Sequence, residues 1–381
     1  MAMLISFCLF NIVSPGSGQT WVQTGALSNS WLCVGSSADG SVLAAGGPQG
    51  LFISTNSGGD WSQANLPTNK SYSGVALSAD GSRVAATYQN GGMYYSTDFG
   101  ATWATNNTVF PLQFSGYAHP IASSADGTKL AISCKMIYTS TDGGATWTSN
   151  NISGPRYAAI ASSADGNKLA VASLSANAIY LSTNAGLTWM TNTVTNAAFQ
   201  DIACSADGTH LISAGGVQVP DGLYTSLDSG MTWVSNAFPR EAWRTVASSA
   251  DGAILAAAGL PSPVVFWTNG VWTTNALPVT NQSFSCMASS ADGGQLVGAV
   301  EPGGIYVLRT VRPPLLNLAA TGSDLLLDWL VPSTNYVLQQ SPDLISWANI
   351  TNPPSLNLTN LHYQLMLSPT NESTFYRLAS P

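Results

Sequence analysis

The tetrapeptide Ser-Ala-Asp-Gly occurs seven times, with its aspartate at Asp39, Asp80, Asp126, Asp165, Asp207, Asp251 and Asp292. Successive copies lie 41, 46, 39, 42, 44 and 41 residues apart. A period near 42 residues accommodates four short strands, the unit of a β-propeller blade. An apolar, small-residue strand precedes each copy, as in Arg244-Thr-Val-Ala-Ser-Ser. Asp-Gly supplies the positive φ of a hairpin turn. A second strand follows, such as Lys168-Leu-Ala-Val-Ala, then a variable loop and a third strand, such as Gly92-Met-Tyr-Tyr-Ser.

Composition agrees with strands. The 381 residues include only 3 Glu and 4 Lys, so strong helix formers are scarce, whereas 36 Gly, 12 Trp and 13 Tyr favour strands and tight turns. Charged residues are 8%, and 48 Ser, 34 Thr and 26 Asn supply the polar surface instead. Hydrophobic residues reach 45%, which excludes a disordered polar tract. No run of about 18 apolar residues reads as a membrane span. A net charge of −8 without a basic stripe argues against nucleic acid. The five cysteines form no C-x-x-C pair, so neither zinc nor a disulfide framework is expected. Cys33, Cys204 and Cys286 read as small buried side chains. No cofactor is expected.

A second signature follows the third strand of each unit. It reads Ser96-Thr-Asp-Phe-Gly-Ala-Thr-Trp103 and Ser140-Thr-Asp-Gly-Gly-Ala-Thr-Trp147, and recurs at Ser54 to Trp61, Ser182 to Trp189 and Ser226 to Trp233. This S-T-D-x-G-x-T-W pattern resembles the Asp-box of bacterial-neuraminidase-repeat propellers. That group includes sialidases, some xyloglucan hydrolases, sortilin-type receptors and photosystem II assembly factors. The resemblance covers roughly residues 14–311. Asp98, Asp142 and Asp228 hold the aspartate position, and Asn56 and Asn184 replace it. An amide keeps the acceptor without the charge, so the expected role is turn-making, with Gly in the left-handed position. Trp61, Trp103, Trp147, Trp189 and Trp233 are expected to pack back across the sheet and to contribute most of the buried area. Unit six is degenerate (Trp267 to Trp272), and unit seven lacks a box. Ser14 to Trp21 aligns with the missing one, so Trp21-Val-Gln-Thr should be the last strand of unit seven. The expected fold is all-β: a seven-bladed propeller closed by its N-terminal strand.

Residues 1–13 read as a signal-like leader or as a truncated blade; both stay open. Residues 312–314 (Arg-Pro-Pro) form a stiff linker, and 315–381 read as a small β-sandwich-like module of about five strands.

The repeat aspartates and the boxes share one face, which the resemblance implies is the face away from the ligand. Function is expected on the opposite, variable loops. An aromatic begins each inner strand there: Trp31, Tyr72, Tyr117, Tyr157, Phe199, Trp243 and Phe284. Two readings are open, a collar that stacks on sugar rings or peptide side chains, and packing between blades. The next residue varies (Leu32, Ser73, Ala158, Gln200, Arg244, Ser285), and simple alternation puts it on the other face. His119, Arg156, Arg240, Glu241 and Arg244 lie nearby in sequence, and the arginines suit an anion or carboxylate. Those charges read equally as scattered solvated side chains.

An enzyme of sialidase type needs an arginine triad, a Tyr–Glu pair, an acid and an Arg-Ile-Pro motif. Arg-Ile-Pro is absent here. Outside the turns the ring has only Asp201, Asp221, Glu241 and Glu301 as acids, and these are the candidates if glycoside hydrolysis survives. The sequence therefore points first to a non-catalytic, monomeric, secreted or envelope-associated propeller that binds a protein or glycan through its loop face. Alternatives are a divergent sialidase-like hydrolase and an assembly or scaffold factor.

Overall fold

The computed structural model describes residues 20–106, 110, 120–150, 152, 157–174, 178–193, 198–215, 222–236, 242–260, 263–268, 270–276, 283–332, 334–368 and 374–380. All its regular elements are strands, and no helix is long and apolar enough to cross a membrane. The chain folds as a β-propeller of consecutive four-stranded antiparallel sheets, seven of them among the described residues of the repeat region. Blade two illustrates the order: Tyr72–Leu77 innermost, then Val84–Tyr88, Gly92–Ser96 and Ala104–Asn106. Val22–Gln23 pairs antiparallel with Ile305–Arg309, so the N-terminal strand completes the sheet begun by Phe284–Ser289. Trp21 beside it packs on Phe284 with ring centroids 4.6 Å apart. The Ser14–Gln19 part of the aligned box lies outside the described residues, as do residues 1–13.

The repeat unit does more than turn the chain. Ser37 Oγ donates to Asp39 Oδ1, Ser41 N–H donates to the same oxygen, and Val42 N–H donates to Ser37 Oγ. This arrangement recurs at all seven aspartates, with hydroxyl-to-carboxylate distances of 2.5–2.7 Å. The alanine between Ser and Asp explains itself only in the ring. Ala38 N–H donates to Ala79 O, Ala79 to Ala125, Ala125 to Ala164, Ala164 to Ala206, Ala206 to Ala250, Ala250 to Ala291, and Ala291 back to Ala38. These seven bonds, each 2.7–2.8 Å, close a circle around the axis. Their methyl groups converge in one apolar cluster.

The boxes are turns on the same end. Phe99 N–H donates to Ser82 O, tying the box of blade two to its own Ser-Ala-Asp-Gly turn. Asp98 accepts from Ser96 Oγ, Thr102 N–H and Thr102 Oγ1. Asn184 accepts from Thr188 N–H at 2.9 Å and donates to Thr188 Oγ1, so the amide replaces the carboxylate without losing the turn. Gly100 is left-handed as expected (φ +84°), and so is Phe99 before it (φ +59°), which sequence reasoning did not anticipate. The expectation for the tryptophans needs correction. Trp61, Trp103, Trp147, Trp189 and Trp233 are only half-buried. Each packs against the preceding blade, as Trp103 does on the cluster of Leu51 and Ile53. The wholly buried aromatics include Tyr72, Phe199, Trp243 and Phe284 of the inner strands.

Residues 317–379 form two further sheets, of four and three strands, around Leu327, Trp329, Leu338 and Leu365. Seven strands are present where about five were expected. The part lies against the ring: Val331, Leu361 and Tyr363 join the axial alanines in one apolar cluster. Between Val337–Ser341 and Ala348–Asn349 sits an unanticipated box-like turn. Asp343 accepts from Ser341 Oγ, Ile345 N–H and Ser346 N–H, Leu344 is left-handed (φ +65°), and Trp347 Nε1 donates to Leu344 O. One residue fewer separates its Asp from its Trp than in the ring boxes, which hid it from a spacing search.

Candidate functional site

Among the described residues, inner strands run from an aromatic at the loop end (Tyr72, Tyr157, Phe199 and Phe284) to a Ser-Ala-Asp-Gly turn at the box end. The two ends are chemically distinct. At the box end lies an axial cavity of about 170 Å³, ringed by Ser36, Ser123, Ser162, Ser248 and Ser289 and capped by Leu361. Each of these serine hydroxyls donates to the carbonyl of the next residue. The polar groups facing this cavity are thus internally satisfied.

At the loop end the aromatics do not form an open collar. Tyr72, Phe199 and Trp243 are 0% exposed, and Tyr157 is 6%. Tyr157 stacks edge-on to Tyr180 and Phe199 to Tyr224, each within its own blade. All four also lie in clusters shared with the preceding blade, and a ring buried in that way offers no open face for stacking. Tyr117, His119, Arg156, Asp221, Arg240 and Glu241 lie outside the described residues.

Alternation also fails directly after the aromatic. The pairing register shifts between Tyr72 and Gly74, Tyr157 and Ala159, Phe199 and Asp201, Trp243 and Thr245, and Phe284 and Cys286. A β-bulge therefore sits at Ser73, Ala158, Gln200, Arg244 and Ser285, and bulges re-aim the side chains they carry. One of the five, Arg244, is exposed. Its strand is neighbour to those of Gln200 and Ser285. Glu301 is also exposed, in the loop after Gln295–Val300.

The residue after the bulge ties blade to blade. Asp201 Oδ2 accepts Val246 N–H of the next blade at 2.9 Å, and Asp201 Oδ1 accepts Ile202 N–H at 2.9 Å. Thr245, equivalent in blade six, accepts Met287 N–H of blade seven at 3.0 Å. In blade one the equivalent Cys33 points its thiol at Tyr72 O of blade two, 3.8 Å away. Burial pushes the Asp201 carboxyl up to about 6, against the lowering effect of its Val246 and Thr245 hydrogen bonds. Burial likewise raises the thiols of Cys204 and Cys286 to about 12. Box aspartates shift the other way: hydrogen bonds from Thr146 and Thr232 hold Asp142 and Asp228 near 2. Among the described residues no group of three His, Cys, Asp or Glu side chains converges to hold a metal.

No family model and no curated protein matches the chain. Solved structures do match, at identities that speak to fold alone. "YCF48 bound to D1 peptide" superposes with a TM-score of 0.60 at 14% identity, over 77% of this chain and 97% of that one. YCF48 from Cyanidioschyzon merolae gives 0.59 at 13%, over 76% and 98%. The Cps50 (Swd1) β-propeller domain of Myceliophteria thermophila gives 0.59 at 13%, over 78% and 100%.

Proposed function

We propose that the chain is a non-catalytic scaffold, closest in kind to the assembly-factor reading, whose loop end holds a segment of a partner protein. The carrying observation is Asp201. Asp201 and Glu301 are the candidate acids among the described residues, and the two oxygens of Asp201 are held by backbone N–H groups of two blades. A carboxylate fixed in that way is a strut between blades. Arg244, by contrast, stands exposed on a bulge of a rigid strand, suited to a partner's carboxylate or carbonyl. A propeller of similar fold is recorded with a bound peptide, which supports a protein partner over a glycan. The seven-bladed Asp-box architecture and a secreted or envelope setting belong to the same proposal, the latter on the low charge and dense hydroxyls.

Capture of cross-linked partners by the wild-type chain and by Arg244→Glu tests the assignment. The reversed charge is expected to lower partner recovery about tenfold or more while leaving the thermal midpoint unchanged. Turnover of sialosides or xyloglucan oligomers that disappears in Asp201→Asn would instead establish the hydrolase reading.

A further inference from the structure

On the box end the outer groove between blades four and five differs from its two predecessors. The equivalent grooves between blades two and three and between three and four hold about 10 Å³ each. Between four and five the groove opens to about 270 Å³. The side chain three residues after each repeat aspartate decides this. Arg83 lies over Gly127, and Lys129 turns inward to Asp165 O and Asn167 Oδ1. Lys168 lies over Gly208 but sends its ammonium outward to Ser229 Oγ, 3.2 Å away.

Residue identity changes at the same place. The position after the box glycine is Gly59, Ala101 and Ala145 in blades one to three, but Leu187 and Met231 in four and five. The position after the box tryptophan is Ser62, Ala104 and Thr148, then Met190 and Val234. These four large side chains are 48–77% exposed, Leu187 the most. Turn chemistry does not require them, since three blades build the same turn with small or hydroxylic residues. Met190 and Met231 line the groove together, and an exposed apolar surface that breaks the repeat marks an interaction site.

We propose that this groove is a second docking site, distinct from the loop end, for an apolar peptide segment that carries a carboxylate. The argument for the carboxylate is charge. Lys168 has three donors, one of them on Ser229. The adjacent acid, Asp228, already accepts from Ser226 Oγ, Thr232 N–H and Thr232 Oγ1. Among the described residues Lys168 has no ion-pair partner. The apolar walls are Met190, Met231 and Leu181, and methionine adapts to varied side chains. The apolar surface extends along two successive box turns, which suits an extended chain rather than a compact small molecule.

The test uses the full chain with its methionine methyl groups labelled for NMR. The probes are the capped peptide Ala-Leu-Leu-Glu-Leu-Ala and the same peptide with Gln for Glu. The Met190 and Met231 methyl signals are expected to shift with the Glu peptide, which should bind a few-fold tighter than the Gln peptide. Lys168→Gln should abolish that preference. Met190→Thr with Met231→Ala, the residues blade three carries, should weaken binding about tenfold with the thermal midpoint unchanged. Three results would overturn the proposal. One is no shift at about 1 mM peptide. The second is equal binding of both peptides by wild type and Lys168→Gln, which is apolar adhesion only. The third is methyl signals that respond to protein concentration without peptide, which assigns the surface to a second copy of the chain.

Discussion

Asp201 and the box aspartates titrate in opposite senses, and together they set the pH profile. Asp201 has a folded pKa of about 6, above its unfolded value, so the folded state binds its proton more tightly. Stability therefore increases as pH falls from above 6 toward 4. Asp142 and Asp228 are held near 2, so their contribution is present above 4 and is lost as pH falls through 2. The thermal midpoint should rise from pH 7 to about 4 and then fall. Asp201→Asn should flatten the rise and leave the acid limb; a profile that still rises in that variant would assign the effect to another group. The amides at Asn56 and Asn184 predict that Asp142→Asn lowers the thermal midpoint less than Asp142→Ala does. The turn role of these residues was legible in the sequence because it is local: a short acceptor two residues after Ser and four before Thr. The role of the axial alanines was not. Their hydrogen bonds join residues about 42 apart, and only the closed ring brings their methyl groups into one cluster.

At the scale of strands and turns, the closing strand and the bulges carry the account. Trp21 is 7% exposed and joins the core shared by blades six and seven. Trp21→Ala should cost about 3–5 kcal/mol in chemical unfolding. A loss under about 1 kcal/mol would mean that the N-terminal strand does not close the ring. Its place was readable because Trp21 falls in register with the other box tryptophans. The bulges were not readable. Period-two alternation assumes an unbroken ladder, and an inserted residue such as Gln200 or Arg244 leaves no mark in a single sequence. Tyr72, Tyr157, Phe199 and Phe284 do begin their inner strands, yet which surface they face depends on the neighbouring blade.

Over the whole molecule the two ends differ: the axis is capped at the box end, and the loop end carries exposed charges. Leu361 and Val331 cap the axial alanines, so the C-terminal sheets and the ring share an apolar contact. Leu361→Asp should expose the 312–314 linker to protease without unfolding the ring. The loop end retains Arg244 and Glu301 as exposed charges, and the strut at Asp201 keeps its strand in place. The central claim is that this end grips a protein segment and performs no chemistry on it. Replacing Gln200, beside Arg244, with a photoreactive phenylalanine and identifying cross-links by mass spectrometry tests it most directly. The account predicts cross-links to one contiguous segment of one partner, lost when Arg244→Glu is added, and none from the same probe at Thr102 on a box turn. Cross-links equally strong from Thr102, or unaffected by Arg244→Glu, would contradict it.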